Sequence, residues 1–417
     1  MWWEGHVDAR SHSGQTPKVD RFEASASMLG YLYQIRQLLA CAVERYEHGL
    51  DWSVAVEAGD DIEVVRADGK TYYQLKHRAE SAKLTDRSSD LWKTLRIWAE
   101  ELAAGRIELT ETDLLLLTTA EIVGDTIGQY LCPALVGARD EDEVLRLIVA
   151  VASETTNETN NKAYEAVNRL SEPQKRSLVS RIQVVGDSPN ITVIDELLAR
   201  KAVIAVSHKN VQPFLQRLEG WMFRRVVEQL LTPHRSPIGG GEFDEAFTNL
   251  QNQFRPGNLP IDEDIAELRP NVADYTDKTF VRQLALIDAG STRISLAVRH
   301  YMRAFEQRSR WLQDGLLQVG ELSRYERKLT EAWEEEFAAM EEEIGREATE
   351  QEKVAAAKEI YRWATNTSNY RIRAECDEDF VCRGSFQILA DDRAVGWHID
   401  FLARLVAVLE PAGAQQS

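Results

Sequence analysis

Between Ser25 and Thr119 the spacing of apolar residues changes three times, and few folds accept that order. Met28, Leu32, Ile35, Leu38, Leu39, Ala42, Val43 and Tyr46 recur at helical intervals. They predict a helix over 25–47, capped by Ser25 or Ser27 and ended by the glycine of "HGL" at 48–50. The period then drops to two. "WSVAVE" at 52–57, "DIEVV" at 61–65 and "KTYYQLK" at 70–76 read as a three-strand meander, with "ADG" at 67–69 as a tight turn. Leu91, Leu95, Trp98, Leu102 and Ala103 restore the helical period over 88–104. "DLLLLTT" at 113–119 is apolar without alternation, as expected of a strand covered on both faces. Helix, meander, helix and buried strand predict an α/β domain with a mixed sheet and flanking helices.

Beyond residue 125 helical patterns dominate, over 141–153, 161–170, 172–182 and 195–202, with "IQVVG" at 182–186 and "ITVI" at 191–194 leaving room for one more short strand. "LTPHRSPIGGGEFD" at 231–244, with two prolines and three successive glycines, predicts a boundary and linker. The rest reads as helix over 242–254, 277–288, 291–320 and 320–364. A small strand-turn unit then leads into a terminal helix from His398. The expected organisation is a poorly ordered leader over 1–21, an α/β domain with a helical extension over 22–205, and a mostly α-helical region over 206–417. No repeat of fixed period is present.

Bulk properties narrow the function classes. The apolar runs are too short for a membrane span and the N-terminus lacks the pattern of a secretory signal. Cys41, Cys132, Cys376 and Cys382 include no CxxC pair, which argues against structural zinc and for reduced thiols in the cytoplasm. A net charge of −19 speaks against a nucleic-acid partner until its distribution is considered. From Arg66 to Trp98 there are eight Lys or Arg against four acids, whereas Glu331–Glu352 holds ten acids and one Arg. The basic excess coincides with the meander, where a phosphate backbone would be held. The acidic run reads as a solvated helix face, with a docking surface as the alternative.

The meander also carries the candidate chemistry. Gln74 and Lys76 are two apart on one strand and so share a face, while Asp61 opens the neighbouring strand across a turn. Glu57 ends the strand before it and Asp60 adjoins Asp61. Acid and amide oxygens suit a hard divalent cation that activates water and neutralises charge on phosphorus, and a lysine is a point cation for the same phosphate. The plain alternative is an acidic turn beside the solvent face of an edge strand. Arg87, Lys93 and Arg96 on the next helix are candidate phosphate contacts, opposite its core stripe. His77 reads as a strand end facing away, and His398 as a helix-start residue beside a packed Trp397. "PIGGG" at 237–241 lacks the lysine of a phosphate loop.

Taken together, "GYLYQ", "VEAGDDIEV", "YYQLKH" and "LTDRSSDLWKTLRIWAE" resemble the PD-(D/E)XK nuclease domain of bacterial anti-phage effectors. The similarity is to the nuclease arm shared by cyclic-oligonucleotide-activated endonucleases and Lamassu nuclease subunits, a class that includes the ABC-three-component systems. It continues in "LEGWMFRRVVEQLL", "NQFRPGNLPID" and "GSFQILADDRAVGWHIDF". The resemblance implies a restriction-endonuclease-like sheet and cleavage of double-stranded DNA with Mg²⁺ or Mn²⁺. It implies Asp61 as the principal metal-binding carboxylate, with Asp60 as the alternative, Gln74 as second ligand, Lys76 as catalytic cation, Glu57 as auxiliary acid and Gln34 as an outer ligand. Many relatives carry an acid where this chain has Gln74, which puts metal affinity in question more than activity. Restraint by an SMC-like ATPase and a small middle subunit, and activation as a homo-oligomer such as a tetramer, are implied as well. A non-catalytic, nuclease-like DNA-binding adaptor of the ATPase is the competing expectation.

Overall fold

The structure, a computed structural model, describes residues 21–57, 60–77, 82–135, 139–153, 157–232, 237–345 and 347–409. The leader expected over 1–21 falls, but for Arg21, outside the described residues. The chain divides into two compact units, Met1–Lys201 with Glu219–Glu245, and Ala202–Leu218 with Ala246–Ser417.

The first unit begins with helix α1 (Arg21–Tyr46), followed by strands β1 (Trp52–Val56), β2 (Ile62–Arg66) and β3 (Gly69–Lys76). Next come the short β4 (Lys83–Leu84), helix α2 (Ser89–Ala103), β5 (Thr112–Thr118) and the short β6 (Glu121–Ile122). Two further strands are β7 (Ile182–Val185) and β8 (Ile238–Gly239). They form a six-stranded sheet of order β7-β5-β3-β2-β1-β8, while β4 and β6 pair separately. The β1–β2–β3 meander is antiparallel, and β3–β5 and β5–β7 are parallel. The expected mixed sheet is therefore present, followed by a mostly helical remainder.

The meander closes at Gly69, which has φ +146° and packs so tightly that an added Cβ would lie 2.5 Å from the Glu111 carbonyl oxygen. The crossover from β3 to β5 runs through α2, whose Leu91, Leu95 and Trp98 pack with Tyr72, Leu114 and Leu116 in one buried cluster. Helix α1 covers the opposite face, burying Leu38, Leu39 and Ala42. "DLLLLTT" lies in the sheet between β3 and β7. Leu114 and Leu116 join the cluster on the α2 side and Leu117, of the other parity, is buried too, so both faces are apolar and the residues do not alternate.

Three expectations need correction. Ile238 and Gly239 are not linker: they pair antiparallel with Val54 and Ser53 and give the sheet its last strand. Triglycine composition suggests flexibility, but at Gly240 an added Cβ would lie 2.3 Å from the Leu50 carbonyl oxygen, so the glycine serves close packing. The single helix expected over 320–364 is two, Glu321–Ile344 and Glu350–Arg362, broken at Gly345 (φ +72°) and restarted by a capping box of Thr349 and Glu352. The strand-turn unit expected near the C-terminus is instead a helix, Asp379–Asp391. Phe380, Val381, Cys382, Gly384, Phe386, Leu389 and Ala390 are all buried in it, and a helix apolar on most sides has lost the period that would identify it.

That helix is the centre of the second unit. It packs on Ser291–Gln313 so closely that a Cβ at Gly384 would lie 2.0 Å from the His300 carbonyl oxygen. Gln283 staples its C-terminal end, donating to the Ala390 and Val395 carbonyls and accepting from Trp397 N. On Glu321–Ile344 the buried residues are Tyr325, Leu329, Trp333 and Met340, while Glu334, Glu335 and Glu336 are exposed, so the acidic run is a solvated face. Among the described residues no helix is long and apolar enough to cross a membrane, and all four cysteines are free.

Candidate metal and phosphate site

Strand β3 is bonded on both sides, by β2 and β5, and is not the edge strand of the plain reading. Its alternation sorts two sets of side chains. Tyr72 faces the α2 layer, and Gln74 and Lys76 share its parity; His77, of the other parity, meets the Tyr33 ring of α1 with centroids 5.2 Å apart. Gln74 is only 3% exposed. An amide in that position is built into the structure, not left on a wet surface.

An open cleft of 580 Å³ lies at this end of the sheet, lined by Glu57, Asp60, Asp61, Gln74, Lys76, Lys93, Arg96, Ile97 and Glu101. It gathers the meander residues singled out in the sequence and two of the three phosphate-contact candidates. Arg87 is exposed and lies outside the lining, its carbonyl accepting from Asn160 Nδ2 at 3.0 Å. Gln34, half-buried on α1, is not part of the lining either. His398 lies in the second unit, buried beside Trp397, with Nδ1 accepting from the Asp400 backbone N–H at 3.0 Å.

Within the cleft the two adjacent aspartates do different things. Asp61 Oδ2 accepts from the Leu75 backbone N–H at 2.7 Å and from Gln74 Nε2 in a short contact. Gln74 Oε1 is buried and has no hydrogen-bond partner. Asp60 turns inward: its Oδ2 accepts from Trp98 Nε1 at 2.6 Å and its Oδ1 from the Asp61 backbone N–H at 3.0 Å. Burial pushes the Asp60 carboxyl up to about 7, with the Trp98 bond opposing the shift and the Asp61 charge adding to it. Glu57 adopts φ +51° and its N–H donates to the Asp61 carbonyl at 3.3 Å. Desolvation, then the charge of Asp61, raises its carboxyl above the usual range. Arg96 leans towards Glu100 at 3.8 Å, one turn along α2.

The donor set bears on a cation. Among the described residues no three His, Cys, Asp or Glu side chains converge as ligands. What the cleft offers is the Asp61 carboxylate beside an amide oxygen that is buried and unpartnered. A small hard cation that keeps most of its water shell and takes one or two protein oxygens fits that set. An unpaired buried acceptor is costly, and a cation is one way to satisfy it.

Apolar spacing places Trp98 in the core stripe and says nothing of its second role as hydrogen-bond donor to Asp60. The signal that could have found it is the indole N–H, which needs an acceptor when buried, with a turn of two aspartates within reach.

Residues 280–405 match C-terminal domain 7 of the ABC-three component (ABC-3C) systems. No curated protein matches the chain. Similar solved structures include the Acinetobacter baumannii Cap4 SAVED/CARF-domain containing receptor with the cyclic trinucleotide 2'3'3'-cAAA, at 11% identity and a TM-score of 0.31 over 62% of this chain and 58% of that one. The same receptor with 3'3'3'-cAAA is similar at 13% identity and a TM-score of 0.32, over 66% of this chain and 58% of that one. The chain thus spans 58% of the receptor's length, and a likeness of this degree carries no argument about fold or ligand. The C-terminal match covers less than half of the chain, residues 280–405, and is to a domain of ABC-three-component systems.

Proposed function

We propose that the chain is the metal-dependent DNA endonuclease of an ABC-three-component, Lamassu-like anti-phage defence complex. The observation that carries the reading is Gln74 Oε1, buried without a partner on an interior strand, beside the Asp61 carboxylate and two residues before Lys76. Asp61 and Gln74 would hold Mg²⁺ or Mn²⁺, which when bound supplies an activated water and charge neutralisation at phosphorus. Lys76 places a point cation where the phosphate's negative charge grows. Lys93 and Arg96, on the α2 wall of the cleft, hold flanking phosphates of duplex DNA. Asp60 positions Asp61 through the backbone bond and is itself anchored by Trp98. The fold class proposed for the first unit is restriction-endonuclease-like.

The class of system implies partner subunits. In this reading an SMC-like ATPase and a small middle subunit restrain the nuclease, docking on its helical region, and release permits oligomerisation on DNA. A second reading, a non-catalytic DNA-binding adaptor of the ATPase, is favoured by one observation: no three His, Cys, Asp or Glu side chains converge as ligands among the described residues. Cleavage separates the two. Linear and circular duplex DNA are incubated with the purified chain over a range of concentrations in Mg²⁺ or Mn²⁺, and with the assembled complex, beside Lys76→Ala. The nuclease reading expects metal-dependent cutting that Lys76→Ala lowers by about 10²–10³-fold or more, with assembly of the complex intact. Absence of cutting by chain and complex alike leaves the adaptor.

A further inference from the structure

A second cavity, of 590 Å³, lies wholly within the helical unit, far along the chain from the cleft residues. Its lining departs from the character of the whole chain. Acids outnumber Lys and Arg by 68 to 49 in the sequence, yet no Asp or Glu lines this cavity, whereas Lys209, Arg255 and Arg373 do. The three cations differ. Arg373 belongs to the frame: it binds both Glu321 carboxylate oxygens, at 2.7 and 2.8 Å, and donates to the Asn258 and Leu316 carbonyls, both at 2.8 Å. It thereby ties three segments of wall together. Lys209 and Arg255 are exposed side chains, and neither takes part in an ion pair among the described residues. Two carboxylates outside the lining are Glu321, occupied by Arg373, and Glu375, which lies against Gly257.

The wall also contains an unsatisfied group. Asn210 is nine-tenths buried, and its Oδ1 has no hydrogen-bond partner. Two other amides of the wall are engaged: Gln251 Nε2 donates to the Ala205 carbonyl and Gln253 Oε1 accepts from Ile261 N. Phe254 and Leu259 give the cavity an apolar side. A volume within the ordinary range of ligand sites, two uncommitted cations, an idle acceptor and an apolar wall are complementary to one kind of molecule.

We propose that this cavity binds a small organic anion, a carboxylate or phosphate monoester, that also carries an N–H or O–H donor. Lys209 and Arg255 meet the anionic group, Asn210 Oδ1 accepts from the donor, and Phe254 and Leu259 cover the apolar body. The site is independent of the nuclease reading, because none of its residues lies in the cleft.

The test uses the full chain and three probes: 4-aminophenyl phosphate, phenyl phosphate and the neutral 4-aminophenol, followed by ligand-detected NMR and calorimetry. The expected result is binding of 4-aminophenyl phosphate at millimolar concentration or below, weaker binding of phenyl phosphate, and little of 4-aminophenol. Lys209→Gln with Arg255→Gln lowers affinity by about tenfold or more, equivalent to about 1.4 kcal/mol, while the remote Lys162→Gln changes nothing. Asn210→Leu removes the preference for the amino compound; if that variant melts early, the preference in the unmodified chain is the remaining readout. Undiminished binding in the double variant, an equal loss with Lys162→Gln, or no binding of either phosphate overturns the proposal.

Discussion

At the scale of single residues, the cleft is defined by which polar atoms are satisfied. Gln74 is an amide where many relatives of the resembled class have an acid, and its Oε1 is left over while Nε2 serves Asp61. Gln74→Glu is expected to bind Mn²⁺ about tenfold or more tightly by calorimetry, because a second carboxylate joins the ligand set. Without metal the same variant melts at a lower temperature, since two carboxylates then face each other. Unchanged metal affinity would remove Gln74 from the ligand set. Trp98→Phe deletes the donor to Asp60 Oδ2 in a buried setting and is expected to cost about 1–3 kcal/mol in urea unfolding. Much of that loss returns when Asp60→Asn is added, because the orphaned group is then neutral. Strict additivity of the two changes would show that they do not interact.

At the scale of elements, most helices and the meander follow from apolar spacing, because an amphipathic face records its period in the sequence. Elements buried on most sides do not. The helix Asp379–Asp391 reads as strand in the sequence for that reason, and Ile238–Gly239 reads as linker because a two-residue edge strand has no period at all. The approach to the last helix, Phe401–Leu409, carries a buried titratable group. His398 is 1% exposed and its side chain lies 3.5 Å from Glu350 and 3.9 Å from Asp400, with Arg404 and Lys353 around the same carboxylates. Burial, then Arg404, holds its imidazole below the usual range, with Glu350 and Asp400 opposing. A folded-state value below the unfolded one means that the unfolded chain binds the proton first. Stability is therefore lost as pH falls through the ordinary histidine range, near 6.5, towards the folded value. His398→Gln is expected to flatten that slope in urea unfolding between about pH 7 and 5, the range where the unfolded His titrates. An unaltered slope would assign the pH dependence to other groups.

At the scale of the whole molecule, a chain of net charge −19 concentrates Lys76, Lys93 and Arg96 on one cleft. Binding of duplex DNA without divalent metal is expected to weaken steeply with salt. Lys93→Gln with Arg96→Gln should make the slope of log K against log salt shallower by about 0.9 for each phosphate no longer neutralised. A slope unaffected by either change would place the DNA elsewhere. Much of this cleft was legible beforehand, because Glu57, Asp61, Gln74 and Lys76 lie within one meander and local geometry fixes which face each shares. By itself the sequence determined the α/β order, the meander, the covered strand and the convergence of acid, amide and lysine, since short-range periodicity and turn chemistry are local properties. Only the tertiary structure decided that Asp60, on the cleft wall, is held by Trp98, that Arg87 and Gln34 stand outside the lining, and that 238–239 closes the sheet edge. Those outcomes depend on partners distant in sequence, whose packing no local pattern records.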